Sequence, residues 1–407
     1  MTFNHATLSR LSESYGDSFF LVHLDRFENN FREFRDELRS HYPSTNLAYS
    51  YKTNYLPRFC SIVDTLDGYA EVVSRMEYDL ARSINVNPDR IIFNGPYKTS
   101  EDIQTALIDG ATVNIDGPRQ LSLVEEVGPD LPNVGRVGVR VTFDLPGEKP
   151  SRFGFPTEEL TPVLRRLRRI PNVLVEGIHC HFASSTRGTA VYLEITRRML
   201  DLAGRHFAQT PPQFVDLGGG YFSPMGEQLR RQFSGPVPTY AEYAETIGKE
   251  FARRYPAGDG PELILEPGVS VAADAIDFVA MVMEVRYLNG THQALVSGSI
   301  HNIKPTLNKL NLPLTVVEHS TDTRPPPGPI DVVGYTCMEH DILFSGYPGS
   351  LQEGDFVVFS NTGAYTNVLQ PPFIRPAPPM IGIQEGAPFE ILRRGETLED
   401  VLETYAT

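Results

Sequence analysis

The chain has 407 residues, 41% hydrophobic and 21% charged, with a formal net charge of −15, a balance suited to a globular protein with a sizeable core and room for two domains. That charge argues against a phosphate-backbone partner, so no nucleic acid is expected, and it disfavours an anionic membrane surface. Cys60, Cys180 and Cys337 are too few and too scattered for a disulfide framework or a structural zinc cluster; with no export leader and no run of about 18 apolar residues, a cytoplasmic protein with no membrane span is expected.

In chain order, a polar start leads to a strand from Ser18 to Leu24. Asp25 to Glu28 has the form of a capping box, and Phe27, Phe31, Phe34 and Leu38 recur at helical spacing, which predicts an amphipathic helix over about residues 26 to 40. A rhythm follows. Strands are predicted to end near Tyr51, Val73, Phe93, Ile115, Thr142, Phe182, Leu217 and Leu265. Helical patterns lie between them, several opened by caps at Ser74 with Glu77, Ser100, Thr157, and Thr239 with Glu242. Eight such units predict an α/β fold, a (β/α)8 TIM barrel, over residues 26–270.

Past Pro267 the texture changes to Val, Tyr, Phe and Thr segments broken by Gly and Pro. Strands are predicted at Phe278 to Leu288, Gln293 to Ser297, Pro329 to Thr336, Phe356 to Phe359 and Gly363 to Asn367. Residues 271–407, with 1–25, are expected to form an antiparallel β-barrel or sandwich domain. The tracts Thr323 to Pro329 and Gln370 to Pro379 are proline-rich loops.

Barrel enzymes carry their chemistry on the loops that follow the strands. Read there, the chain offers Lys52, then Glu71 and Ser74, Asn94, Asp116, Arg140, His179 with His181, Gly218-Gly219-Gly220, and Glu266-Pro267-Gly268. A lone lysine more often caps a strand in solvent, but a desolvated one can form a Schiff base with a carbonyl. Consecutive glycines after the seventh strand let backbone N–H groups surround a phosphate, although a plain glycine turn reads equally well. If His179-Cys180-His181 continues the sixth strand, both imidazoles face one way. They then serve as a satisfied structural pair, as flanks of a cofactor, or as two ligands of a metal with Glu266 as the third, the arrangement of a metal-dependent barrel hydrolase. A bare Glu266 after Leu263-Ile264-Leu265 is costly to bury without a partner, and a protonated ring nitrogen is one. Lysine, phosphate cradle, carboxylate and ring-facing histidine jointly describe a site for pyridoxal 5'-phosphate.

The chain resembles the alanine-racemase-like, fold type III pyridoxal-phosphate enzymes, and among them the ornithine, arginine and diaminopimelate decarboxylases. Tyr51-Lys52-Thr53-Asn54 is similar to the Schiff-base motif, and Glu71-Val72-Val73-Ser74 with Glu77 to the segment after strand two. His179-Cys180-His181-Phe182-Ala183-Ser184 is similar to the stretch whose histidine stacks on the cofactor ring, Asp216 to Gly220 to the phosphate loop, and Glu266-Pro267-Gly268 to the pyridinium-binding turn. Cys337 and Asp341 match the ends of the family's Cys-acid-x-x-Asp box, and Gly363-Ala364-Tyr365 its phosphate-contacting tyrosine. The resemblance implies a homodimer with shared active sites, in which Lys52 holds the cofactor, Glu266 keeps its ring nitrogen protonated and Cys337 of the partner chain protonates the product carbon. Glu71, His181, Ser184, Gly218, Gly219, Gly220, Gly268 and Tyr365 would contact the cofactor.

Two departures bear on the substrate. Val269 stands where the family has arginine, and Met338 where it has an acid after the cysteine, with Glu339 one place late and, on a strand, facing the other way. Met338, Glu339 and Asp341 are the candidate substrate contacts. The expected activity is decarboxylation of an amino acid or amino-acid conjugate, as in siderophore assembly. A diaminopimelate- or ornithine-type decarboxylase of primary metabolism, a racemase on the same scaffold, and the metal-dependent hydrolase are the alternatives; no metal is assigned.

Overall fold

The computed structural model describes residues 3–320, 324 and 328–406, so much of the loop expected from Thr323 to Pro329 lies outside the described residues. Two compact units divide the chain. One comprises residues 28–223 and 235–271, the other residues 1–27, 224–234 and 272–407. Residues 224–234, assigned to the barrel on sequence, thus fall in the second unit.

Parallel strands in the first unit run at Thr45–Ser50, Tyr69–Val72, Ile91–Phe93, Thr112–Ile115, Gly135–Thr142, Val173–His179, Phe214–Asp216 and Glu262–Leu265. Each pairs in parallel with its neighbour, and Leu263 opposite Thr45 joins the last strand to the first, so the sheet closes into an eight-stranded barrel. Closure removes the sheet edges and forces one side-chain set inward, where Ala48, Ile92, Phe214 and Ile264 pack together. Phe214 dictates two glycines opposite it. A Cβ at Gly138 or Gly177 would come within 2.8 Å of the Phe214 ring, nearer than side chains approach.

The helix Leu24–His41 buries Phe27, Phe31, Phe34 and Leu38 completely, as the spacing predicts. Phe34 stacks on Tyr240, which opens the helix Tyr240–Arg254 behind the expected Thr239/Glu242 capping box. Two caps differ. Thr99, not Ser100, caps the helix Ser100–Asp109, because Asp102 is three residues on and returns the bond. A tight turn, Thr157–Glu159, precedes the helix Leu160–Leu167, so Thr157 caps nothing directly. The sixth strand stops at His179 rather than Phe182 because its neighbour, to which Cys180 N–H donates at Asp216, ends there.

In the second unit a nine-stranded sheet orders its strands Ile342–Tyr347, Ile330–Val333, Thr291–Val296, Ile276–Leu288, Ser18–His23, Met380–Ile383 and Glu390–Arg393, with Phe356–Phe359 joining Ile276–Leu288 to Leu314–Val317. Pairing is mostly antiparallel, with parallel pairs at Phe20–Met380 and His292–Ile330. Leu8 and Leu11 of the helix His5–Tyr15, unanticipated in the polar start, pack with Phe19, Val279, Phe356 and Ile381. Gly363 to Asn367 is not the expected strand: Gly363 N–H bonds Ala273 O and Tyr365 takes a φ of 60°, which breaks an extended run. The strand predicted to reach Thr336 ends at Val333. No helix among the described residues is long and apolar enough to cross a membrane.

Candidate active site

Two cavities open at the ends of the barrel. The larger, about 450 Å³, is lined by strand beginnings such as Tyr69, Arg136, Glu176 and Glu262, and its lining holds no lysine, histidine or cysteine. The other, about 240 Å³, lies where the strands end. Its lining gathers Lys52, Glu71, Asn94, Arg140, His179, His181 and Glu266 with Phe153 and Arg152, so the residues read at six strand ends converge on one place.

Lys52 sits in the tight turn Tyr51–Thr53 after the first strand. Tyr51, Thr53 and Asn54 around it are buried, and Tyr49 donates its hydroxyl to Asn54 O at 2.8 Å. The turn is therefore fixed while the lysine reaches inward. Its Nζ pairs with the buried Glu71 carboxylate and donates to Ser50 Oγ at 3.3 Å. Gly268 closes over this turn so tightly that a Cβ there would lie 2.1 Å from Thr53 Oγ1. Ser50 N–H bonds Pro267 O, which ties the Glu266-Pro267-Gly268 turn to the lysine turn.

Glu266, 2% exposed, is the hub. His179 Nε2 lies 3.3 Å from its Oε1 and His181 Nδ1 3.4 Å from its Oε2. Asn94 donates to Glu266 and, at 3.0 Å, to Glu71. Burial opposes ionisation of Glu266, but the two imidazoles and the Lys52 ammonium outweigh it and hold the carboxyl well below the usual range. His179 is driven the other way, below the ordinary imidazole value, by burial. His181 stands in the loop beyond the strand, not on it, yet both imidazoles address Glu266 as the strand reading expects.

The glycine run threads between these pieces. Gly218 and Gly220 have φ of 69° and 100°, and a Cβ on Gly219 would stand 2.4 Å from Glu266 O. Only glycine fits such contacts. Gly219 N–H bonds His181 Nδ1 at 3.1 Å and its carbonyl accepts from Tyr192. Asp216, which the sequence reading quoted only as part of the loop motif, is wholly buried, and its Oδ1 accepts from Gly218 N–H at 2.8 Å. Burial, and then the charge of Glu266, push its acid well above the usual range. With His179 and Glu266 it forms the group among the described residues that could hold a metal ion, ligand atoms within 4.8 Å of one another; His181 is not in it.

Other candidates stand apart from this lining. Ser184 donates to Glu148 at 2.6 Å, on the loop after the fifth strand. Ser74 and Glu77 cap the helix Arg75–Ser83, and burial lifts the Glu77 acid to about 7. Asp116 pairs with Arg140 at 2.8 Å. Lys98, unnoticed in the sequence, is buried without lining the cavity, and burial lowers its ammonium to about 7. It donates to Gly95 O and Asn114 O, which fixes the turn after the third strand.

In the second unit Cys337 is exposed, Met338 half-buried and Glu339 exposed. All three lie on a turn, not a strand, so the alternation expected to point Glu339 away from Met338 does not operate. Asp341, 3% exposed, accepts from Ile300 N–H at 2.7 Å and from the Thr336 hydroxyl at 2.6 Å, which fixes the segment bearing Cys337. Tyr365 is 37% exposed.

Residues 24–273 match the family model described as pyridoxal-dependent decarboxylase, pyridoxal binding domain. A diaminopimelate decarboxylase of Methanothermobacter thermautotrophicus is 24% identical over 412 residues, 96% of this chain and 92% of that one. Diaminopimelate decarboxylase of M. jannaschii, solved with L-lysine, superposes with a TM-score of 0.86 at 22% identity, over 98% of this chain and 94% of the other. Lysine decarboxylase of Selenomonas ruminantium superposes at 0.78 with 21% identity, covering 95% and 98%. The residues present fit pyridoxal phosphate: an inward amine for the aldehyde, a buried ionised carboxylate for a ring nitrogen, an accessible imidazole, and a glycine turn no side chain could enter. Buried His179 turns its Nε2 to Glu266, while its Nδ1 has no hydrogen-bond partner among the described residues, which leaves this wall of the cavity ready for a further polar group.

Proposed function

Since this chain belongs to the pyridoxal-dependent decarboxylases, carboxy-lyases that use pyridoxal phosphate, we propose that it decarboxylates a diamino acid of the diaminopimelate type. The observation that carries the proposal is Glu266, kept ionised in a buried pocket beside an inward lysine. Its placement supports decarboxylation over racemisation, which in related racemases goes with a weaker partner for the ring nitrogen. The names of the relatives favour a free diamino acid of primary metabolism over the conjugate expected from Met338 and Val269.

When bound, the cofactor supplies an electron sink for the pair left behind as carbon dioxide departs. Lys52, paired with the Glu71 carboxylate, would provide the amine that anchors it. Glu266 would keep a proton on the ring nitrogen. His181 would flank the ring, and the Gly218 to Gly220 backbone would hold the phosphate. Cys337, exposed on its turn, would deliver a proton to the new amine's carbon in the partner subunit's site. Three unpaired thiols fit a reducing, cytoplasmic setting.

Carbon dioxide release from diaminopimelate, ornithine, lysine and a citryl-diaminopropionate conjugate tests the substrate: diaminopimelate should have the highest kcat/KM. A preference for the conjugate overturns that assignment. The shared site is tested by mixing Lys52→Ala and Cys337→Ala proteins under subunit exchange. Random pairing leaves one whole site in each mixed dimer, so activity should return in part; no recovery in exchanged dimers places both residues of a site on one chain.

A further inference from the structure

We propose that Arg152 is the residue that selects a substrate carrying a distal carboxylate. This rests on the decarboxylase reading and adds the substrate's charge to it. Three cationic side chains line the cavity at the strand ends: Lys52, Arg140 and Arg152. Lys52 is paired with Glu71. Arg140, buried, spends one nitrogen on Asp116 at 2.8 Å and another on His181 O at 3.3 Å. Arg152 differs. It is exposed, and among the described residues no ion pair or hydrogen bond engages its guanidinium.

Arg152 is nonetheless held in place. Its guanidinium lies 4.0 Å from the centre of the Phe153 ring, and that of Arg140 lies 4.7 Å from the same ring. A guanidinium stacked on an aromatic face keeps its in-plane N–H groups free, and that edge matches a carboxylate with two parallel bonds. The short strand Phe155–Pro156 pairs with the end of the fifth barrel strand, which anchors the segment just beyond Phe153.

The lining carboxylates complete the argument. Glu71 is engaged by Lys52 and Asn94, and Glu266 by both histidines and Asn94. Neither is open to a substrate's side-chain ammonium. A substrate ending in an ammonium alone, such as ornithine or lysine, meets Arg152 with a like charge. One ending in a carboxylate meets a pre-positioned partner, so discrimination arises by attraction and repulsion together.

The test uses the enzyme carrying its cofactor, as the wild type and as Arg152→Ala, Arg152→Lys and Arg152→Glu. For diaminopimelate, Arg152→Ala should lower kcat/KM about tenfold or more, chiefly through KM, with Arg152→Lys intermediate and the bound cofactor's visible absorbance unchanged. Lysine turnover should not fall in Arg152→Ala and should rise in Arg152→Glu. Equal losses on both substrates, or none on either, overturn the assignment of Arg152 while leaving the decarboxylase reading intact. Should the wild type turn over neither, the substrate proposal fails. The role of Arg152 is then read from dissociation constants for diaminopimelate and 1,5-diaminopentane, followed by the same absorbance: weaker binding of diaminopimelate alone in Arg152→Ala upholds it, and unchanged binding of both rejects it.

Discussion

Lys52→Ala should reduce decarboxylation by about a thousandfold or more and remove the visible absorbance of covalently held cofactor, with the circular dichroism of the fold unchanged. The magnitude follows from losing the amine that anchors the cofactor, a large contribution in reactions of this kind. The fold should persist because Lys52 is not a core side chain. Its neighbours Tyr51, Thr53 and Asn54 are the buried residues, and the turn is held by backbone bonds and by Tyr49. Removing the lysine leaves Glu71 without its cation, but Asn94 still donates to that carboxylate. A variant that keeps both the absorbance and near-native turnover would end this assignment.

The second large effect concerns the buried acid pair. Glu266→Gln should lower kcat by about a hundred- to a thousandfold, the scale for losing one pre-organised charge at a reacting centre. Asp216 shapes that charge. Burial and the neighbouring Glu266 push the Asp216 acid well above its usual range, and the two carboxyls lie within 4.8 Å of one another, a placement that favours a proton between them over two repelling charges. Asp216→Asn keeps a donor of the same shape and should lose far less than Asp216→Ala, which removes the polar group beside Glu266 altogether. The two should also differ in the pH dependence of the bound cofactor's absorbance, which a merely structural loss would not move. Equal behaviour of the two variants would show that the proton on Asp216 is irrelevant.

Much of the barrel was legible in the sequence because its signals are local. Apolar strands end in polar residues at regular intervals, and the Phe27, Phe31, Phe34 and Leu38 spacing belongs to one helix face. The second unit was less legible. Leu314–Val317 is four residues long and follows Pro313, while Ile342–Tyr347 and Met380–Ile383 each contain glycine, which weakens a strand pattern. The helix His5–Tyr15 carries its apolar residues sparsely and is held by an Asn4 cap and by Leu8 and Leu11 packing against distant strands. Tyr365 could not be recognised as a turn residue, since its positive φ comes from its surroundings.

In the site, the residues that sequence reasoning found were those fixed by position at strand ends. Those it missed depend on how elements meet. Asp216 reaches Glu266 because the seventh and eighth strands pair with Ile264 opposite Asp216, a relation invisible across the intervening helix. Arg152 lies in a glycine- and proline-containing loop, and only the course of that loop brings it to the cavity. Lys98 shows the reverse case: a lysine that looks ordinary in sequence is buried and bound to carbonyls, away from the cavity lining.

That contrast between lysines gives the most direct test of the central claim. The enzyme carrying its cofactor is reduced with borohydride, which makes the lysine attachment permanent, and its peptides are mapped by mass spectrometry. A pyridoxyl group on Lys52 and on no other lysine is the predicted result; its presence on Lys98, or its absence from Lys52, would contradict the account.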